Sequence, residues 1–514
     1  MAVNDANTII NDLTPIVVGV GQVTELPGEL SHASSPVDLM VQATDKALLD
    51  AGVSRAMLSQ LDQLAVVRSF RESTDNTAFC LARRLSALQS EQWMMPHGGN
   101  GPQYLVNRYF ESIANGENTF VLLSGAEAMN TSRRMIKAGV EPDWSEPVDH
   151  PARYLVAEKE MSTEHEKANG AWMPSSIYPL FENALRGAYG ESIEEHQQAM
   201  GELFARFSAV AANSPTAWYP QTLSASDISE ASADNRYVGW PYTKRMNAMN
   251  QINQSASLLL CSVGFAREAG ISEDKWVFLH GCADVNERHN VSDRVNYYSS
   301  PAINVMAKET CAMANMSVDD LDYLDIYSCF PVAVEIARDE LGIRKDDPRS
   351  LTLTGGLPFH GGAGNNYVMN AIATMVETLR AHPKTFGLVT ANGGYLTKHA
   401  AGIYSTTPTL GHWRRKDPAS YQCLIDDMQS PPLDMQPSGE AIIETYTVTF
   451  GRDNKPSGGI IVGRLGDGSD PMAPRFFSSP PDDAELLLAM TRRDYLGAKG
   501  IVVTGETNIF TPDK

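Results

Sequence analysis

Apolar residues fall along this chain in two alternating styles: short β-branched runs bounded by glycine, and longer stretches with a period near that of a helix. The run PIVVGVGQV (15–23) leads to the amphipathic stretch DLMVQATDKALLDAGV (38–53) and then to LDQLAVVRSF (61–70). The same order returns as WVFLHGCADV (276–285), INVMAKETCAMANMS (303–317) and LDYLDIYSCF (321–330). Such apolar runs predict buried strands in a mostly parallel sheet, with the periodic stretches as covering helices. A glycine-rich segment repeats as well. His97-Gly-Gly-Asn-Gly-Pro-Gln-Tyr-Leu-Val-Asn107 and His360-Gly-Gly-Ala-Gly-Asn-Asn-Tyr-Val-Met-Asn370 agree at six of eleven positions. Each runs into a helix pattern and then a Thr-Phe strand, NTFVLLSGAEA from Asn118 and KTFGLVTANGG from Lys384. Loop, helix and strand matching in one order predict a duplicated α/β fold.

The pattern changes after the Pro/Ser-rich stretch SPPLDMQPSGE (430–440). AIIETYTVTF alternates with period two, RDNKP reads as a turn, and GGIIVGRLGDG, RFFSS and GIVVTGETNIF supply further short strands. Together they predict a small barrel.

The duplication has a chemical consequence. Each glycine corner opens a helix, so each presents unpaired N–H groups at the positive end of a helix dipole. Halves packed about a pseudo-twofold axis would turn both corners to one cleft, where such donors suit a thioester oxyanion or enolate. The alternative is two structural turns with glycine chosen for positive φ.

The 514 residues call for three or four domains or subdomains. A net charge of −21 disfavours nucleic acid and anionic membranes as partners. No apolar run is long enough for a membrane helix, and the start MAVNDANTIINDLTPIVVGV lacks the basic and apolar regions of a secretory signal. Six scattered cysteines without a CxxC pair read as reduced thiols of a cytoplasmic protein, and no metal-ligand set stands out. An anionic ligand would need a local basic patch. The candidates are Arg133, Arg134 and Lys137, or Lys244 with Arg245, each of which reads equally as a solvated face.

On these residues the chain resembles the thiolase superfamily over roughly its first 430 positions. Gly19–Glu25 is similar to the opening strand, and Gly98-Gly99-Asn100-Gly101 stands where thiolases have Cys-Gly-Ser-Gly. NTFVLLSGAEAMNTS and NQINQSASLLLCSVGFAREAGI are similar to the strand and helix that follow. Tyr327-Ser328-Cys329-Phe330 takes the Asn-Glu-Ala-Phe place, and His360 that of Gly-His-Pro. The resemblance implies two βαβαβαββ halves in five αβαβα layers, residues 1–130 with 245–273 and residues 274–429, around an inserted loop domain at 131–244. Residues 430–514 resemble the OB-fold domains that accompany some thiolase-like enzymes. It also implies a CoA or acyl-CoA ligand with no further cofactor. A homodimer through the first half's sheet edge is the family expectation, or a monomer where the tail covers that edge.

The family mechanism uses an acylated cysteine, an activating histidine, a second cysteine as acid/base and an oxyanion hole. Here Gly98 replaces the first cysteine, and Asn392, or Thr390, replaces the second. Without a thiolate there is no acyl-enzyme, and ping-pong thiolysis is not available. Cys329 falls at the family's alanine position, with its side chain expected toward the core. The residues left for chemistry are His360, Tyr327 and His399, with Gly98, Asn100, Asn392, Gly393 and Gly394 against the substrate. They are expected to converge in the cleft, where donors would lower the ordinary phenol pKa of ~10. His399 and Tyr327 read equally as a satisfied structural histidine and a phenol packed at a strand end. Three activities fit: a family-type acyltransferase, a cysteine-independent lyase acting on β-hydroxy- or β-ketoacyl-CoA, and a non-catalytic acyl-CoA carrier.

Overall fold

The computed structural model describes residues 10–71 and 74–513. The reading of the N-terminus rests largely on residues 1–9, outside that range. The apolar runs form strands β1 (Pro15–Thr24), β2 (Gln63–Val67), β3 (Glu91–Met95) and β4 (Phe120–Ala128). Two short strands follow, β5 (Tyr237–Gly239) and β6 (Tyr242–Thr243), then β7 (Asn253–Ser262). The second half supplies β8 (Phe278–Asn286), β9 (Tyr323–Asp325), β10 (Phe386–Gly393) and β11 (Lys398–Ser405). The tail supplies β12 (Gly439–Phe450), β13 (Pro456–Leu465), β14 (Arg475–Ser478), β15 (Lys499–Val503) and β16 (Ile509–Pro512).

The first sheet runs β1-β7-β4-β2-β3 and the second β8-β11-β10-β9, the same order with the fifth place missing from the second. Residues 351–354 occupy that place without forming a strand. The Leu351 carbonyl accepts from Ile326, and Leu353 and Thr354 donate backbone N–H groups to buried Asp325. Neither sheet is purely parallel, because β7 and β11 run antiparallel to both neighbours. The reason is local: β10 turns straight back into β11 at Gly394–Thr397. In the first half the inserted segment stands where that turn would be, so it emerges beside the site.

Alternation along each strand splits the first sheet's side chains between two cores. Val17, Val67, Leu123 and Leu260 face inward to the second half. Ile16, Val66, Leu122 and Leu259 face outward, to the helix Pro36–Ala51. The helices Gly101–Ala114 and Tyr367–Ala381, which follow the two glycine corners, lie between the sheets. The helix Pro301–Ala314 closes the far side, completing five layers. Among the described residues no helix is long and apolar enough to cross a membrane.

The exposed edge of the first sheet is β3, and the inserted segment covers it, not the tail. Met94 donates its N–H to the Arg153 carbonyl (2.8 Å), and Leu155 donates to the Met94 carbonyl (3.0 Å). The Arg153 guanidinium lies 3.9 Å above the Trp93 ring. The tail strands run β14-β13-β12-β15-β16, and only an isolated parallel bridge between Ser479 and Ile509 joins the two ends. Nor does the tail stand alone, since β5 of the inserted segment pairs with β12.

Candidate active site

The two glycine corners meet. The Gly98 N–H donates to Asn365 Oδ1 (2.9 Å), and Asn365 Nδ2 donates to the Arg68 carbonyl (2.7 Å), so a side chain of one corner ties down the backbone of the other. A cleft of about 410 Å³ opens there, with Gly98, Gly99, Gly364 and Asn365 in its wall. Tyr327, Cys329, Asn392, Gly393 and Gly394 come to it from the second half, and Tyr178, Asn247 and Asn250 from the inserted segment and its return.

The packing at the first corner crowds any side chain. A β-carbon at Gly98 would meet Asn100 Oδ1 at 2.5 Å and Lys398 Nζ at 3.1 Å. Lys398 stands opposite Gly393 in the β10–β11 ladder and donates to the His97 carbonyl (2.6 Å). Burial holds its ammonium below the ordinary lysine pKa, against the opposing charge of Glu158. A β-carbon at Gly99 would fall 2.3 Å from the Tyr327 phenol oxygen, and one at Gly393 would fall 3.0 Å from the Gly98 Cα. Two backbone segments and one phenol therefore touch at this point.

Tyr327 faces the cleft with no hydrogen-bond partner for its phenol among the described residues. Its pKa is pushed well up, by burial and then by Cys329, contrary to the lowering expected from nearby donors. No cation reaches it to favour the phenolate, so it is a neutral donor. Tyr178, on the helix Pro174–Tyr189, stacks on Phe330 (ring centroids 4.4 Å apart). It accepts from Asn392 Nδ2 (2.9 Å) and donates to the Gly394 carbonyl (2.8 Å). Asn392 Oδ1 is buried with no donor among the described residues. Of the two positions open for the second cysteine, Asn392 faces the cleft, whereas Thr390 accepts the Tyr327 N–H (3.1 Å). Cys329 is buried in the core, as its position implied, and also lines the cleft. The residues from Tyr327 to Phe330 run as an irregular segment beyond β9 and set the thiol beside Asn392. Burial pushes that thiol up to about 12, and its partners, Tyr178 and Asn392, supply neither a base nor a cation. It is not an activated nucleophile.

Neither expected histidine joins the cleft wall. His360 caps the short helix Gly356–Phe359 and is wholly buried, its Nε2 3.1 Å from Thr216 Oγ1 and its ring edge-on to Tyr367. Burial lowers its pKa to about 4. His399 pairs with Asn392 across the ladder yet lines a separate concavity with Asn100 and Lys398. Burial, and then the charge of Arg294, lower it to about 3. The imidazole that does reach the cleft is His97, whose Nδ1 lies 2.5 Å from Glu158 Oε1, with Arg68 on the same carboxylate (2.7 Å). Burial raises the Glu158 pKa, but His97 and Arg68 outweigh it and hold the carboxylate below its ordinary range.

The basic candidates separate. Arg133, Arg134 and Lys137 lie on the helix Met129–Lys137 away from the cleft wall, with Arg134 bound to the Gly28 carbonyl (2.5 Å). Lys244 and Arg245 line a neighbouring concavity of about 350 Å³ that shares Asn247 with the cleft. His97, Tyr178 and Lys398 escaped the sequence reading. Only His97 carried a signal, as the first residue of the repeated segment.

A family model described as the thiolase-like protein type 1 additional C-terminal domain matches residues 421–507. The crystal structure of a monomeric SCP2-thiolase like protein type 1 from Mycobacterium smegmatis is similar at 35% identity and a TM-score of 0.85, over 98% of this chain and 100% of that one. An Ltp2-ChsH2(DUF35) aldolase is similar at 17% identity and TM-score 0.58, over 76% of this chain and 98% of its own. An acetyl-CoA acetyltransferase from Syntrophomonas wolfei is similar at 15% and 0.51, over 77% and 100%. No curated protein matches the chain.

Proposed function

Because the chain belongs to the SCP2-thiolase-like proteins of type 1, in the thiolase superfamily, we propose that it binds acyl-CoA thioesters between its two glycine corners and forms no acyl-enzyme. The observation that carries this reading is at Gly98: the corner offers no nucleophilic side chain, and Asn100 and Lys398 would have to shift to admit one. The thioester end lies against Gly99, Tyr327 and Asn392, and the nucleotide phosphates lie at Lys244 and Arg245. The OB-like tail buttresses the inserted segment that roofs the cleft.

One observation favours a second reading, that of a lyase. The unpartnered Tyr327 phenol and the His97–Glu158 pair face the same cleft. With a β-hydroxyacyl-CoA, His97 would take the hydroxyl proton as the Cα–Cβ bond breaks to an aldehyde and a thioester enolate. Tyr327 would hold the enolate oxygen while the His97 imidazolium returns its proton to Cα.

Two measurements test the proposal. Mass spectrometry after incubation with acetoacetyl-CoA should show unmodified protein, for the parent and for Gly98→Cys alike; an adduct on a cysteine of the parent overturns it. Calorimetry should show CoA binding that weakens about tenfold in Lys244→Glu/Arg245→Glu and with added salt. Turnover of β-hydroxyacyl-CoA that is lost in Tyr327→Phe and His97→Gln selects the lyase over the carrier.

A further inference from the structure

Behind the cleft, three helices bring two carboxylates and an imidazole together in the interior. Glu182 lies on the helix Pro174–Tyr189, His196 on Ile193–Ala211 and Glu335 on Pro331–Glu340. Their exposures are 0, 1 and 3%, and each offers a ligand atom within 4.8 Å of the other two. Three ligands set tetrahedrally about 2.1 Å from one ion lie about 3.4 Å apart, inside that limit but wider than the His196–Glu182 pair, so the ion would displace the proton that pair shares.

The surroundings point the same way. His196 Nε2 is 2.7 Å from Glu182 Oε1, and its Nδ1 is 2.7 Å from Glu191 Oε2. A carboxylate behind an imidazole is the arrangement that orients a metal-binding histidine. Tyr242 donates to the other Glu182 oxygen (2.6 Å). Glu335 Oε2 is buried and has no donor among the described residues. The nearest guanidinium, Arg338, spends its bonds on Tyr189 and Asp339. Two carboxylates facing each other in a low-dielectric interior repel unless a cation or a shared proton lies between them.

We propose that Glu182, His196 and Glu335 bind one divalent first-row metal ion, with Glu191 as the outer partner of His196. One nitrogen and two carboxylate oxygens suit a zinc-like ion better than a soft one. The ion would staple the inserted segment to the second half. From there Tyr242 stacks on Phe330 (5.3 Å), and Phe330 stacks on Tyr178 in the cleft wall, so the ion sets the wall's position and not the chemistry.

The full-length protein, purified without chelator, should carry about one equivalent of metal. After chelator stripping, Co²⁺ should give a visible d–d absorption that Zn²⁺ abolishes, and Zn²⁺ should raise the thermal midpoint. Glu191→Gln, which leaves all three ligands in place, should weaken Zn²⁺ about tenfold. Glu335→Gln should lose the Co²⁺ band. Stripped parent protein with neither a Co²⁺ band nor a Zn²⁺-dependent midpoint overturns the proposal. A Glu335→Gln variant as stable as untreated parent also overturns it, and assigns the gap to a shared proton. None of these readouts depends on acyl-CoA binding.

Discussion

At the scale of single residues, burial dominates the electrostatics of the site. It keeps Tyr327 and Cys329 protonated, and it keeps His360 and His399 neutral. The histidines make stability depend on acid. Unfolded, each takes a proton near pH 6.5; folded, they resist it down to about 4 and about 3. Their contribution is therefore complete above about pH 6.5 and shrinks as pH falls, by about 3 kcal/mol for His360 on reaching its folded pKa. Asp325 opposes this trend. Burial raises it to about 6, so the folded state gains relative stability as pH falls through that value. In urea titrations, His399→Gln should flatten the loss of stability between about pH 6.5 and pH 5. A slope equal to the parent's would show that His399 does not resist protonation. Residue types and their repeat were legible in the chain. Which of them faced the cleft was not, because that depends on segments packed from far along the chain: Asn392 lines one concavity and His399, its partner across the ladder, another.

At the scale of elements, the alternation of strands and helices followed from local patterning and the layers from the resemblance, while edges and covers followed from neither. The Thr-Phe strands, the helices behind each glycine corner and the period-two tail strands all appear where the apolar pattern put them. The strap at 153–155 had no such signal, because its pairing with β3 is made by backbone groups. Its effect is nonetheless specific, since an uncovered β3 would be an open template for another chain. Leu155→Pro deletes the N–H that binds the Met94 carbonyl. It should give larger species than the parent in light scattering at micromolar concentration. A variant of the parent's size would remove the strap as the cause.

At the scale of the whole molecule, a buried arginine is one of the groups that bind the tail into the thiolase-like body. Arg475, fully buried, donates to the carbonyls of Ser292, Arg294 and Val295, pairs with Glu444 (2.9 Å) and lies 4.8 Å above the Tyr297 ring. Arg475→Met leaves Glu444 and those carbonyls short of a donor in the interior. It should cost about 3–5 kcal/mol by chemical denaturation. A loss under about 1 kcal/mol would mean the tail docks by its apolar face instead. This docking explains why the tail did not emerge as a free barrel: β5 and Arg475 join it to segments about two hundred residues upstream.

The sequence by itself determined the duplication, the family and the absence of a cysteine at the first corner, since each is written in local order and residue type. Tertiary structure alone decided what fills that corner, which histidine reaches the cleft, what covers the sheet edge and which distant acids meet His196. Those outcomes depend on contacts between positions far apart along the chain, where neither period nor spacing carries information.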